Sequence, residues 1–169
     1  YSDDSPDAIW TARLFTKEAL YKNQFVSFAM RYKYVDNEYS CISPYSEPVF
    51  MPGGFSMNAS TGFNSGMENR TQAITVYDYV SSDLPEDVVE IELLYRDSDS
   101  FPAVYHAASV SPDNPHWELQ QDTNTTMPDK GLSTFEEEVF GSILPTSQLD
   151  RVWDALPKKA ESQEFVSSR

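Results

Sequence analysis

From residue 26 to residue 34 the chain reads VSFAMRYKY, and its side chains alternate in character. Val26, Phe28, Met30, Tyr32 and Tyr34 share one parity; Ser27, Ala29, Arg31 and Lys33 share the other. An extended backbone sends successive side chains to opposite faces, whereas a helix returns to the same face only after about 3.6 residues. Period two over this run therefore predicts a half-buried strand. Asp36 and Asn37 supply turn residues that tolerate a positive φ, so residues 38–43 are expected to return as its hairpin partner.

The same alternation recurs. In residues 72–80, Ala73, Thr75, Tyr77 and Tyr79 oppose Ile74, Val76, Asp78 and Val80. Asp83-Leu84-Pro85-Glu86 breaks that run. Val89, Ile91, Leu93 and Tyr95 then face one way and Glu90, Glu92, Leu94 and Arg96 the other. The turn DSDS at 97–100 leads into residues 104–110, which predicts a second hairpin. Ten Tyr and ten Phe suit pleated, half-buried surfaces better than helix interiors. No repeat of fixed period is present.

Other stretches punctuate the strands. Pro44, Pro48 and Pro52 suit an edge strand or an extended exit. Residues 111–130, with Pro112, Pro115 and Pro128, read as loop with a short strand near Trp117 and Leu119. Near the start, Trp10, Leu14 and Phe15 line either a short helix or an irregular approach segment. Ser133 followed by Glu136 matches a capping box, with Glu136, Glu137 and Glu138 in the first turn of a helix whose apolar face is Phe135, Val139 and Phe140. Between Pro145 and Pro157, Leu149, Val152, Trp153 and Leu156 fall at helical spacing.

Residues 51–68, MPGGFSMNASTGFNSGME, are rich in Gly, Ser and Asn and hold no sustained period. So long an unpatterned stretch within a domain is expected to be a functional loop or a contact arm. Phe55, Met57 and Phe63 are large apolar residues for such a loop; a partner subunit covers them, or they fold back onto the chain itself.

Charge limits the function classes. Asp plus Glu number 27 against 12 Lys plus Arg, a formal net charge of −15. Phosphate backbones and anionic lipid surfaces are held by Lys and Arg, so neither specific nucleic-acid binding nor membrane attachment is expected. No stretch approaches the ~18 apolar residues of a membrane helix. The single cysteine, Cys41, excludes an intramolecular disulfide and reads as a buried, inert thiol. The chain opens YSDDSPDAIW and closes FVSSR, so it is expected to be a piece of a longer protein.

A search for chemistry yields little. His106 on a strand and His116 in the loop PDNPHW read as ordinary surface residues. No nucleophile elbow, Gly-rich phosphate loop or Cys/His ligand spacing occurs. Asp97 and Asp99, like Asp3, Asp4 and Asp7, lack the twelve-residue pattern of a calcium loop. The sequons at Asn58, Asn69 and Asn124 arise readily by chance in a chain rich in Asn, Ser and Thr. The expectation is a non-enzyme without cofactor or metal.

Three stretches carry a resemblance. In residues 25–50, Arg31, Tyr32, Lys33, Tyr34, Asp36, Asn37, Glu38, Tyr39, Ser40, Ser43 and Pro44 resemble the aromatic strand–turn–strand that closes fibronectin-III-like modules of tailed-bacteriophage virion proteins. Asn37 stands where that family usually has Gly. VVEIELLYRDSDSFPAVYHAASV, residues 88–110, looks like the hairpin that follows in the same proteins. The tail, residues 142–164, is similar to their closing segment through Leu144, Pro145, Gln148, Leu149, Arg151, Trp153, Asp154, Pro157, Lys159, Ala160, Gln163 and Glu164. Val152 and Ala155 depart from it, where the family tends to have Pro and Asn.

The resemblance covers about half the chain and implies a structural protein of a phage neck or tail, of the nozzle or muzzle type. Its place would be the virion, its partners copies of itself and other virion proteins. Proteins of this kind form rings around passing DNA, which an acidic wall would keep from adhering.

The expected fold is mainly β, with fibronectin-III-like, β-sandwich-type antiparallel sheets and one or two short C-terminal helices. Residues 1–80 would form a first β module, or part of one, carrying the 51–68 loop. Residues 81–130 would hold a second hairpin module, and 131–169 a short helical segment continuing into further sequence. Phe55, Met57, Phe63 and Trp153 are the candidate subunit-interface residues. The alternative function is a secreted bacterial adhesion or carbohydrate-binding β module, which surface aromatics and acidic turns suit equally.

Overall fold

The computed structural model describes residues 18–100, 102–120, 129–138 and 141–149. The alternating run forms strand β1, Val26–Tyr34, and the runs after Pro85 form β5, Val88–Asp97, and β6, Tyr105–Val110. β5 lies between the other two in one antiparallel sheet, with Phe28 opposite Tyr95, Met30 opposite Leu93 and Arg31 opposite Glu92. Strands from either side of residue 80 are thus direct neighbours. The β5–β6 hairpin forms as the alternation predicts.

Between β1 and β5 come three short or bulged strands: β2, Met57–Asn58; β3, Phe63–Asn64; and β4, Ile74–Val80. Late in the chain, β7, Lys130–Phe135, pairs antiparallel with β4 as a second sheet. Side chains of this pair pack on one face of the three-stranded sheet. Phe135 stacks on Phe28 with ring centroids 5.6 Å apart, and Tyr79 and Val80 share a cluster with Ile91, Leu93 and Val110. Mainly antiparallel β structure with short helices is what the sequence led us to expect; two single-turn α-helices lie among the described residues, one of them in the C-terminal segment.

Two bulges change which residues that core receives. Asp78 adopts φ 57°, and the β4–β7 register slips between Tyr77 and Val80. The extra residue resets the parity, so Ile74 is buried early in the strand and Tyr79 with Val80 at its end, while Tyr77 stays exposed. A second slip between Lys33 and Tyr34 buries Val88 and leaves Val89 exposed, the reverse of strict alternation in β5.

Two local expectations are corrected. The helix expected from Ser133 is strand β7 through Phe135, because the edge of β4 needs a partner and the Ser133 hydroxyl meets the buried Tyr79 hydroxyl at 2.9 Å. The short strand expected near Trp117 is instead a one-turn helix, α1, Pro115–Glu118. Asn114 caps it by accepting the His116 N–H, Pro115 supplies a fixed φ at its first position, and Trp117 is buried. A second single turn, α2, Thr146–Leu149, begins the last segment expected to be helical. Trp10, Leu14, Phe15, Val139, Phe140, Val152, Trp153 and Leu156 lie outside the described residues.

The expected partner strand of β1 takes an unusual form. Asn37 makes the turn with φ 62°, and the chain does run back along the outer edge of β1. It advances three residues for every two of β1. Ser40, Ser43 and Ser46 donate their N–H groups to the carbonyls of Tyr32, Met30 and Phe28, at 2.9, 2.8 and 2.7 Å. Their hydroxyls accept the N–H groups of those same residues, at 2.9, 2.9 and 3.0 Å. Each hydroxyl then donates to the carbonyl of the following residue, Cys41, Pro44 or Glu47. A serine side chain thus replaces the backbone acceptor of a regular ladder. Pro44 and Pro48 bring no N–H of their own, so this edge offers little to a further strand.

The other face of the three-stranded sheet is charged and covered. Arg31 and Glu92 are both buried and joined at 2.6 and 2.7 Å; Arg31 also donates to Gln148 of α2 at 2.8 Å and lies over the Tyr39 ring. Leu94, Val104 and Leu144 form a small apolar cluster on this side, with Ile42, Tyr45 and Leu149 against it.

Candidate subunit interface

The 51–68 segment leaves the body through a narrow neck. Arg70 donates its N–H to the Met51 carbonyl at 2.9 Å, and Pro52 lies opposite Asn69 in an antiparallel bridge. Asn69, only 2% exposed, clamps that neck. Its Oδ1 accepts the Met51 and Thr71 N–H groups and the Thr71 hydroxyl, at 3.1, 3.1 and 2.6 Å. Its Nδ2 donates to the Val49 carbonyl at 3.1 Å. One buried amide thereby fixes both strands of the neck, so the Asn69 sequon is a structural device whose side-chain nitrogen is already engaged.

Beyond the neck the segment folds as a small arm. β2 and β3 pair through Met57 with Asn64 and Asn58 with Phe63, and Gly62 turns between them at φ 67°. Asn64 Oδ1 accepts the N–H groups of Ser56 and Gly66, holding the arm's two sides together. Gly66 lies so close to Gly54 that a Cβ there would stand 2.8 Å from the Gly54 carbonyl oxygen. Residues 51–68 are therefore a self-bonded arm with structure of its own.

The side chains on the arm settle how its apolar residues are disposed. Phe55 is 81% exposed, Met57 58% and Phe63 52%, so they do not fold back onto the described body. Met51 and Met67, which the sequence reading passed over, are equally exposed at 60% each. Their signal was the complete absence of charge from residues 51–67 in a chain of net charge −15. Scattered exposed apolar residues are ordinary on a protein surface; five within residues 51–67, a stretch without charge, are the concentration that makes this arm the candidate contact element. Trp153, the fourth candidate, lies outside the described residues.

Several other polar groups among the described residues bond to one another within the sheets and turns. The His106 ring meets the Ser109 hydroxyl at 2.9 Å, and that hydroxyl bonds Glu90, which Lys33 also holds at 2.9 Å. The Ser109 hydroxyl, ahead of Lys33, keeps the Glu90 carboxyl below the usual carboxylate range. Serine sits between base and acid here, whereas nucleophilic activation requires the histidine in the middle. Asp97 Oδ1 is engaged by the Asp99 and Ser100 N–H groups at 2.8 and 2.7 Å, a local turn. Cys41 is half-buried against β1 rather than deep in the core.

Among the described residues no helix is long and apolar enough to cross a membrane. Compared with known proteins, the chain matches no family model, no curated protein and no solved structure.

Proposed function

We propose that this chain is a structural component of a phage tail or neck assembly, making subunit contacts within a ring or tube, and that the 51–68 arm is one of its contact elements. The observation that carries the proposal is an arm, without charge over residues 51–67, that presents Phe55, Met57, Phe63 and two further methionines to solvent from a clamped neck. Copies of a chain at −15 repel one another, and contact is least opposed where charge is absent. Burying one large apolar side chain contributes about 1.5–3 kcal/mol, so a few such residues suffice to hold a repeated contact. The resemblance of residues 25–50, 88–110 and 142–164 to virion proteins supplies the phage context.

The test is imaging and mass measurement of the assembled protein. Rings or tubes that weaken when Phe55 and Phe63 become Ser support the proposal. A chain that stays monomeric at high concentration, with and without those changes and with its virion neighbours present, overturns it. The DNA-guiding part fails separately if the lumen of the assembly proves neutral or basic and the acidic surface faces outward.

A further inference from the structure

Along the charged face of the sheet, β1 and β5 set their side chains in cross-strand rows. Lys33 lies opposite Glu90 and Arg31 opposite Glu92, and each pair forms a salt bridge. Ala29 then faces Leu94, and the last row sets Ser27 against Arg96. In that row the cation meets a hydroxyl instead of a carboxylate. Lys22 and Lys130 also reach a Glu, whereas Arg96, like the exposed Arg70, forms no ion pair among the described residues. In a chain with 27 acids and 12 cations, a cation without a carboxylate is the exception.

Arg96 is nonetheless held in place. Its guanidinium lies over the Tyr45 ring, 3.9 Å from the centroid. Stacking occupies the face of the group and leaves its N–H bonds, which point outward in the plane, for an acceptor. A hollow of about 320 Å³ opens here, lined by Phe25, Ser27, Pro48, Arg96, Asp97 and Ser98. Phe25 is braced edge-on against Phe50, with ring centroids 5.3 Å apart. Ser27 is only 6% exposed, and its hydroxyl bonds to no side chain or backbone group of the protein. No polar side-chain atom sealed from solvent lacks a bond among the described residues, so that hydroxyl opens into the hollow it lines. The nearby carboxylates are engaged elsewhere. Asp97 Oδ1 accepts the Asp99 and Ser100 N–H groups, and Asp99 accepts the Ser98 hydroxyl at 3.4 Å and the Gln24 amide at 3.5 Å.

A positioned guanidinium and a buried hydroxyl thus share one hollow with donors to give and no acceptor to meet. We propose that this hollow binds a single carboxylate group. The planar fork of Arg96 matches the two oxygens of a carboxylate, and the Ser27 hydroxyl donates to one of them. One cation balances one negative charge; a phosphate would bring a second into a site flanked by Asp97 and Asp99. The methylene groups that precede the carboxylate lie against Phe25 and Pro48. The group belongs either to an Asp or Glu side chain of a neighbouring copy or to a soluble carboxylate.

NMR titration with propionate, which reproduces the end of a Glu side chain, tests the site. At matched ionic strength propionate should shift the Ser27 and Arg96 signals saturably, and chloride should not. Arg96→Gln should abolish that response. Ser27→Ala should weaken it by about tenfold or more, the worth of one charge-assisted hydrogen bond. Ser27→Ala removes no bond that the fold uses, so it reads the site even where Arg96→Gln fails to fold. A response equal to that of chloride, affinity unchanged in Ser27→Ala, or tighter binding of inorganic phosphate than of propionate overturns the proposal. Repeating the titration on assembled protein separates the two sources. A neighbour's carboxylate blocks propionate there, whereas a site for a soluble carboxylate responds as it does in the monomer.

Discussion

Met30 and Ser43 exchange two hydrogen bonds, one between backbones and one in which the serine hydroxyl takes the place of a carbonyl. The Met30 carbonyl accepts the Ser43 N–H at 2.8 Å, and the Met30 N–H is accepted by Ser43 Oγ at 2.9 Å. Replacing Ser43 with Ala should leave the first bond and orphan the second. An unsatisfied, partly buried N–H costs ~1–3 kcal/mol, so urea unfolding should show a loss in that range. Ser40→Ala should cost as much or more, because Ser40 is buried, and Ser46→Ala less, because water reaches that exposed position. Equal, negligible effects at all three would show that the hydroxyls do not hold the edge.

A second prediction concerns Arg31 and Glu92, whose side chains are 6% and 10% exposed and face each other across β1 and β5. Removing one partner strands a buried charge. Glu92→Leu alone should therefore destabilise by about 3–5 kcal/mol, and Arg31→Met alone by a similar amount. The double variant should recover most of the loss, since two apolar side chains of like volume need no charge partner. A double-mutant cycle in denaturant checks this; strictly additive losses would mean the pair does not act as a unit.

Alkaline pH should expose a third feature. Burial, with Tyr21, Tyr105 and Asp97 adding to it, pushes the Tyr95 hydroxyl from its ordinary 10.0 up to about 12. The folded state thus holds this proton more tightly than the unfolded chain does. The corresponding stability is fully present below pH 10.0 and disappears as pH rises through about 12. Ultraviolet titration should show a late-ionising group of tyrosines, because burial also raises Tyr32, Tyr45 and Tyr79, and Tyr95→Phe should remove the part of it that ionises near 12. A titration in which every tyrosine ionises together near its ordinary value would contradict the burial argument.

The parts of this fold that sequence reveals are those where one physical rule acts alone. β1, β5 and β6 were legible because a sheet with one apolar face imposes period two on Val26–Tyr34 and its partners. The bulges at Asp78 and beside Val88 were not, since a single inserted residue leaves the composition of the run unchanged. The serine-bearing segment obeys period three, and its Ser and Pro content looks like loop until β1 is known to lie beside it. Ser133 misled because a four-residue capping pattern is weaker than the demand of β4 for a partner. In the arm, the exposure of Phe55, Met57 and Phe63 could be suspected from the absence of charge, but the Asn69 clamp could not, because its partners at 49, 51 and 71 meet only in three dimensions.

That clamp makes the arm separable, which yields the last prediction. Deleting residues 53–66 leaves Met67 and Glu68 as a two-residue link between Pro52 and Asn69, which already lie opposite each other. Two residues is the commonest length for a hairpin connection, so the neck can close without disturbing the Asn69 bonds. The trimmed protein should unfold within about 0.5 kcal/mol of the parent, the usual range for changes away from the core. Assembly should weaken far more, because truncating an aromatic anchor alone costs ~2 kcal/mol or more at an interface. Phe55→Ser and Phe63→Ser should reproduce part of that loss with the arm still in place. Sedimentation of the three variants beside the parent separates the outcomes: unchanged assembly with an intact fold would remove the arm from the contact, whereas a collapsed fold would show that the neck depends on what it carries.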